Sequence, residues 1–168
     1  MDIDHLRGWI GRTEEASDLV TPRLIESYAA TFAPHLAPGP QGDAPLALHW
    51  CLAPPIAPMS ALGPDGHPAK GDFLPPVPLP RRMWASSKVE FLVPLKVGEA
   101  VTRTSRIAAV TEKTGGSGKL VFVDVVHETH GEAGAAVREV QSLVYREPAA
   151  PGSPLVPPPL AETRFDPS

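Results

Sequence analysis

The sequence predicts an α+β fold in which one main helix packs against a curved antiparallel sheet. Three observations lead to this prediction: a well-capped helix near the N-terminus, a proline-rich middle, and strand-like segments separated by glycine-rich turns in the second half. A chain of 168 residues has the size of one domain, and an apolar content of 42% is sufficient for an ordinary core. We assign residues 1–147 to this domain and residues 148–168, which are rich in proline, to a linker or tail.

The main helix has clear boundaries. Residues 1–12, which precede it, are compatible with either a short helix or a short strand. Thr21 can cap free backbone N–H groups, and Pro22 suits the first helical position. Apolar side chains then recur at helical spacing, and Pro34 disfavours helical geometry in the residue before it, so we expect the helix to end near Phe32.

The middle of the chain holds most of its 22 prolines. Residues 46–52 (LALHWCL) lie between prolines and are predicted to form a short strand. Gly71–Trp84 (GDFLPPVPLPRRMW) cannot hold a long helix, because proline lacks an N–H and clashes with the preceding turn. The segment is nevertheless apolar, and an ordered apolar loop of this kind usually lines a pocket or an interface.

The second half reads as four strands, at residues 82–93, 101–110, 120–126 and 137–145. The third is nearly continuous in Val, Leu and Phe, which favours burial on both faces. In the fourth, Val140 and Val144 alternate with Glu139 and Gln141. Turn residues at 96–99, 114–118 and 131–134 separate the strands, and we predict an antiparallel meander.

Composition excludes several classes of function. The net charge of −4, without a basic stripe, argues against nucleic-acid binding. A single cysteine, Cys51, cannot form an intrachain disulfide and gives no reason to invoke an oxidising compartment. The N-terminus lacks the blocks of a signal peptide, and no apolar run is long enough to span a bilayer. We therefore expect a cytoplasmic protein with no membrane partner.

Three sequence motifs resemble reactive sites but are better explained structurally. Thr114–Lys119 (TGGSGK) lacks the spacing of a phosphate loop and is predicted to be a hairpin turn. His127 and His130 are three residues apart on a strand, so they point to opposite faces, and we predict no metal site there. Asp124 and His127 are separated in the same way, so the residues predict no catalytic pair.

Two adjacent cations are the strongest candidates for function. Arg81 and Arg82 lie between the apolar proline segment and a strand that opens with Met83 and Trp84. Cations beside an apolar slot suit a ligand with an anionic head and an acyl tail, such as a CoA thioester. The alternative is that they form surface ion pairs with acids such as Asp72 or Glu90. The predicted substrate-binding residues are Arg81, Arg82, Trp84, Trp50, Phe73 and Leu79.

Several segments together resemble the N-terminal half of the MaoC-like double hot-dog hydratases: residues 11–18 with 21–24, His49-Trp50, Phe73–Trp84, residues 91–99, 102–107 and 120–123. Within that family the chain is most similar to the 3-methylfumaryl-CoA (mesaconyl-CoA) hydratases, in the 3-hydroxyacyl-thioester dehydratase type 2 group. The resemblance implies a single hot-dog fold, with the proline segment replacing a full central helix. It also implies that the catalytic Asp and His belong to a second repeat.

From the resemblance we expect a non-catalytic, acyl-CoA-binding half of a hydro-lyase that acts on a short branched dicarboxylic acyl-CoA. No cofactor is expected, since the CoA thioester is the substrate. We expect the unit to pair as a homodimer or with a catalytic hot-dog repeat or chain, and to be inactive alone. An acid and an imidazole converging in its own cavity would contradict that expectation. The alternatives are a non-enzymatic acyl-thioester-binding module and a purely structural partner.

Overall fold

Five antiparallel strands form a single sheet in the order β1-β3-β4-β5-β2. The structure, a computed structural model, describes residues 1–36, 39–115 and 118–148. Its helices and strands are α1 (Ile3–Arg7), β1 (Thr13–Leu19), α2 (Pro22–Phe32), β2 (Arg81–Phe91), β3 (Ala100–Gly115), β4 (Gly118–Gly131) and β5 (Gly134–Arg146). The predicted α+β pattern is confirmed, whereas nearly all of the predicted tail, from residue 149 on, lies outside the described residues.

The four predicted strands exist, but the predicted meander is wrong. β3, β4 and β5 follow one another as antiparallel neighbours, and Gly115 pairs with Gly118 where the hairpin turn was predicted. β2 pairs with β5 instead of β3, so the connection from β2 to β3 crosses the sheet. Alternation along a segment identifies a strand but does not say which strand it pairs with. β1 was missed because its sequence, TEEASDL, is polar and its residues are mostly exposed.

Residues 46–52 do not form the predicted strand. Leu48–Cys51 form a short 3-10 turn, which we call the His49 turn. Ala47 precedes it with φ at 67° and Ala53 follows it with φ at 48°, both in the left-handed region. The apolar residues of this stretch are explained by burial, since Leu48 and Leu52 are 0% and 2% exposed.

α2 begins and ends where the sequence predicts. The hydroxyl of Thr21 accepts a hydrogen bond from the backbone N–H of Leu24 at 3.1 Å, and Phe32 is the last helical residue. The apolar face of the helix is only partly buried.

No helix among the described residues is long and apolar enough to cross a membrane.

The inner face of the sheet carries two hydrophobic clusters with polar residues between them. The proline-segment cluster comprises Leu6, Val77, Leu79, Ile107, Val110, Val121, Val123, Val125 and Tyr145. The α2 cluster comprises Val20, Leu48, Leu52, Leu95, Val101, Ala136 and Val137, with Leu24, Ile25 and Tyr28 of α2 packed on it. Between them, Ser105 pairs with His127, and His127 with Glu139. Directly paired residues share a face, so this row of polar side chains crosses the middle of the inner face.

Candidate functional site

Glu139 on β5 forms the centre of a buried polar cluster beneath the His49 turn. Nε1 of Trp50 donates a hydrogen bond to Oε2 of Glu139 at 3.0 Å. Oγ of Ser87 on β2 donates to Oε1. Nε2 of His49 lies 3.6 Å from Oε2, just beyond hydrogen-bonding distance, and both side chains are 5% exposed. Three residues from two distant segments therefore converge on one carboxylate.

Aromatic rings surround this cluster. Trp50 meets Trp84 edge to face with ring centroids 5.4 Å apart, and His49 meets Phe91 in the same manner at 5.7 Å. Nε1 of Trp84 donates to Oγ of Ser87 at 2.9 Å, which links the tryptophan pair to the carboxylate. About half of the surface of each of these two tryptophans remains exposed. The polar groups of the cluster are thus buried at its bottom, whereas the aromatic rings at its rim remain accessible to solvent.

The charge state of the cluster follows from its contacts. Burial by itself raises the pKa of Glu139, but the contacts from His49, Ser87 and Trp50 outweigh it and hold the pKa below its usual value. Burial, assisted by the nearby Arg103 guanidinium, lowers the pKa of His127. Near neutral pH the cluster therefore contains an ionised Glu139 and a neutral His127.

The neighbouring polar residues hold the sheet and the His49 turn together. Nδ1 of His127 lies 2.9 Å from Oγ of Ser105. The guanidinium of Arg103 donates to the carbonyl oxygens of Leu52 and Ala53 at 3.2 and 2.8 Å. Arg103 therefore ties β3 to the chain that leaves the His49 turn.

An open pocket of about 280 Å³ lies beside His49. Its other lining residues are all apolar: Ala44–Ala47, Phe91–Leu95 and Val137. Within the described ranges, four buried side-chain atoms have no hydrogen-bond partner, namely both ring nitrogens of His49, Nε of Arg103 and the hydroxyl of Tyr145. Buried polar atoms are nearly always paired, so each of these requires an explanation.

The structure separates the six predicted substrate-binding residues. Trp50 and Trp84 lie together at the rim of the polar cluster. Phe73 packs against the proline-segment cluster and Leu79 is part of it, at the other hydrophobic cluster of the sheet. Whether any of these residues contacts a ligand stays a prediction, but the structure does not bring them into one pocket.

The two arginines also differ from one another. Arg81 is exposed at the start of β2. Arg82 has a side chain only 8% exposed, and its Nη2 lies 2.9 Å from Oδ2 of Asp65. The sequence anticipated an ion pair as the alternative to ligand binding, but with Asp72 or Glu90 as partner. The contact with Asp65 binds the loop that precedes the proline segment to the sheet.

The sequence showed no carboxylate–imidazole pair with suitable placement, yet the structure brings His49 and Glu139 to 3.6 Å from one another. Of the two, His49 alone lines the pocket described above, so the pair does not converge inside that cavity. The sequence misled because Val140 and Val144 on β5 suggested that Glu139 faces solvent. In the structure Glu139 shares the inner face with Val137 and Tyr145, and it is 4% exposed. The sequence did contain a signal for this orientation: Glu139 is an even number of residues from both Val137 and Tyr145, so on a strand it shares a face with them.

Among residues 1–36, 39–115 and 118–148, no group of three or more His, Cys, Asp or Glu side chains is placed so that it could hold a metal ion.

Asp124 accepts a hydrogen bond from Ser142 at 2.7 Å and pairs in register with it, whereas His127 pairs with Glu139. The predicted separation of Asp124 and His127 onto opposite faces is confirmed.

A sequence model of the hydroxyacyl-thioester dehydratase type 2 family matches residues 46–167. The chain is 41% identical over 145 residues to the mesaconyl-C(4)-CoA hydratase of Chloroflexus aurantiacus. That match covers 85% of this chain but 51% of the relative, so the chain spans about half the length of the curated protein it matches.

Solved structures agree on the fold. The chain resembles one chain of the ChsH1–ChsH2 complex of Mycobacterium tuberculosis with a TM-score of 0.62, 14% identity, and coverage of 90% of this chain and 92% of that chain. It also resembles a hot-dog-like protein of Thermanaerovibrio acidaminovorans with a TM-score of 0.51, 16% identity, and coverage of 86% and 87%. The hot-dog fold that the sequence resemblance implied is confirmed.

Proposed function

This chain belongs to the hydroxyacyl-thioester dehydratase type 2 family, and we propose that it is the acyl-CoA-binding half of an enoyl-CoA hydratase or 3-hydroxyacyl-CoA dehydratase. The observation that carries the proposal is the match to one half of a mesaconyl-C(4)-CoA hydratase at 41% identity. By analogy with that relative, the substrate is a short branched dicarboxylic acyl-CoA. The thioester is the substrate and no further cofactor is required. We place the protein in the cytoplasm.

The chemistry supports a division of labour between two units. Adding water to an enoyl thioester requires a base to activate water, an acid to protonate the α-carbon, and N–H donors for the developing oxyanion. His49 is the one titratable residue among those that line the pocket described above. Glu139 is enclosed by donors and is a weakened base, because its pKa is lowered. We therefore assign the remaining proton-transfer groups to a second hot-dog unit.

The surface of β2 supports the expectation of a partner. β2 lies at the edge of the sheet, and Met83, Trp84 and Phe91 on it are 42%, 51% and 44% exposed. Exposed strand edges with apolar side chains readily pair with another strand. A partner repeat or chain would cover this edge, and in its absence we expect a homodimer, which light scattering at micromolar concentration tests.

Two measurements test the proposal. Calorimetric titration with mesaconyl-C(4)-CoA or crotonyl-CoA should show binding to the purified chain, and a hydration assay of that chain should show no turnover. Co-expression with a catalytic hot-dog unit should restore turnover. Turnover by the chain alone at ordinary enzymatic rates would contradict the division of labour. Binding without turnover in any pairing would favour the non-enzymatic binding module, and the absence of binding would contradict the proposal itself.

A further inference from the structure

We infer that His49, oriented by Glu139, is the hydrogen-bond acceptor for a hydroxyl group in the adjacent pocket. The pocket should therefore prefer 3-hydroxyacyl thioesters to thioesters of the same length without the hydroxyl. This inference rests on the proposed function, because it names the form of acyl thioester that this chain recognises best.

The position of Glu139 determines which nitrogen of His49 is available. A carboxylate can only accept hydrogen bonds, and Oε2 of Glu139 lies 3.6 Å from Nε2 of His49. The favoured neutral tautomer therefore carries its proton on Nε2, directed toward the carboxylate. Nδ1 is then left with a lone pair and can accept a hydrogen bond from an O–H donor. Trp50 and Ser87 reinforce the arrangement, because their hydrogen bonds keep Glu139 ionised.

The unpartnered state of His49 points to a ligand. Its ring nitrogens are buried without any partner, and the residue is 6% exposed. A buried acceptor without a donor is unfavourable, so a ligand that supplies a donor gains affinity there. The other unpartnered atoms are less suitable, because neither Arg103 nor Tyr145 lines the pocket and Arg103 already donates to two carbonyls.

The backbone around His49 has the strain expected at a ligand site. Ala47 and Ala53 bracket the His49 turn with φ at 67° and 48°, values that residues with a Cβ rarely adopt. The turn is held there by the contacts of Arg103 and by Asp18, whose carboxylate accepts from the N–H of Ala53 at 2.7 Å. Because the His49 nitrogens are shielded from solvent, a small shift of this turn must accompany the approach of a hydroxyl.

The walls of the pocket suit the rest of such a ligand. Leu46, Phe91 and Leu95 are among its apolar lining residues. An apolar pocket with one well-placed polar group is the usual design of a small-molecule site, in which the polar group sets specificity. Here the apolar walls accommodate the acyl chain and the imidazole selects its hydroxyl.

Calorimetric titration of the full chain with three CoA thioesters of equal length tests the inference. The probes are 3-hydroxybutyryl-CoA, butyryl-CoA and crotonyl-CoA at neutral pH. We expect 3-hydroxybutyryl-CoA to bind roughly five-fold more tightly than the other two, as one neutral hydrogen bond provides. Equal affinities would overturn the inference and leave the proposed function intact. Failure of all three to bind would count against the proposed function as well.

Three variants separate the role of His49 from a general effect on folding. His49→Phe keeps an aromatic ring without nitrogen, so it should lose the preference, measured as the ratio of the affinities for 3-hydroxybutyryl-CoA and butyryl-CoA. His49→Asn places an amide oxygen near the position of Nδ1 and should retain part of it. In Glu139→Gln the amide oxygen is expected at the Oε2 position, because Nε1 of Trp50 can only donate, and the amide N–H then faces the Ser87 hydroxyl. Nε2 of His49 keeps its acceptor, so this variant should retain the preference.

The Glu139→Gln variant tests the orientation of His49 even if His49→Phe fails to fold, as judged by circular dichroism. Loss of the preference in folded Glu139→Gln would contradict the assigned orientation of His49. A preference that survives in folded His49→Phe would show that another group recognises the hydroxyl.

Discussion

Two clusters of charged and polar side chains attach irregular segments of the chain to the same sheet, and they differ in how many of their hydrogen-bonding groups have partners. In the Arg82 cluster, Arg82 pairs with Asp65 at 2.9 Å, and Nζ of Lys70 donates to the carbonyl oxygens of Val77 and Leu79 at 2.5 and 3.0 Å. In the His49 cluster, Glu139 is well supplied with donors, but the imidazole beside it has no partner.

The difference separates a polar side chain whose hydrogen bonds are made inside the protein from one that retains unused hydrogen-bonding capacity. Arg82 looks functional in the sequence because it follows an apolar segment, yet its side chain is committed to a carboxylate that holds a loop in place. His49 lies in an apolar run that reads as a strand, yet it lines a pocket with unused hydrogen-bonding capacity. The criterion for a candidate ligand-binding group is whether its hydrogen bonds are already made inside the protein.

The largest effect is expected in the core near the Arg82 cluster. Leu79 was predicted from the sequence to bind substrate, but it is 7% exposed and belongs to the proline-segment cluster. Leu79→Ala should lower the free energy of unfolding by about 3 to 4 kcal/mol through lost burial and a residual cavity. Urea denaturation measures it, with Ile56→Ala as the control, because Ile56 is 97% exposed. Equal effects of the two substitutions would contradict the placement of Leu79.

The next effect tests the ion pair itself. Asp65→Ala leaves a largely buried guanidinium without its partner and should cost about 2 kcal/mol, less than for a fully buried pair because Asp65 is 22% exposed. Its matched control is Glu90→Ala, which removes the partner of Lys88 in an exposed pair and should cost less than about 0.5 kcal/mol. Thioester affinity of folded Asp65→Ala should equal that of the wild type. A marked loss of affinity would instead support the prediction that Arg82 binds the ligand.

The contribution of Glu139 should depend on pH. Its folded-state pKa lies below the usual value, so its ionised form stabilises the fold at pH above the unfolded-state pKa. That contribution is lost as the pH falls through the folded-state pKa. We expect wild type to exceed Glu139→Gln in stability by about 1 kcal/mol at pH 7, because hydrogen bonds to a charged acceptor are stronger. The gap should close in acid. A gap that stays constant between pH 7 and pH 3 would contradict an ionised Glu139.

The smallest effect concerns the aromatic rim. Trp50 and Trp84 meet edge to face at 5.4 Å, and a double-mutant cycle to alanine should give a coupling energy of about 0.5 to 1 kcal/mol. The pair Trp9 and Trp84 serves as the control, because Trp9 contacts His5 instead. Coupling of similar size in both pairs would indicate that the cycle measures a general effect on stability.

Local features of this protein follow directly from neighbouring residues. Thr21, Pro22 and Pro34 delimit α2, since capping and proline geometry act within a few residues of one another. The absence of a long helix from 71–84 follows in the same way from its prolines, and β-branched and apolar runs identify four of the five strands. The family is also recognisable from short segments, among which Phe73–Trp84 is quite specific.

Other features were decided by contacts between residues far apart in the chain. Pairing of β2 with β5 rather than β3, the inward orientation of Glu139 and the choice of Asp65 as the partner of Arg82 are not encoded in any local pattern. Polar alternation shows that β5 has two faces but does not say which one meets the core, because that depends on what covers each face.

The sequence alone therefore determined the fold class, the boundaries of the main helix, the absence of a central helix and the family. Only the tertiary structure decided which side chains meet in the candidate site, because Trp50 and Glu139 are 89 residues apart and meet only when the His49 turn folds onto the sheet. Periodicity and capping are properties of a few consecutive residues, whereas a buried site is made by packing distant segments, whose burial and hydrogen bonding no local pattern specifies.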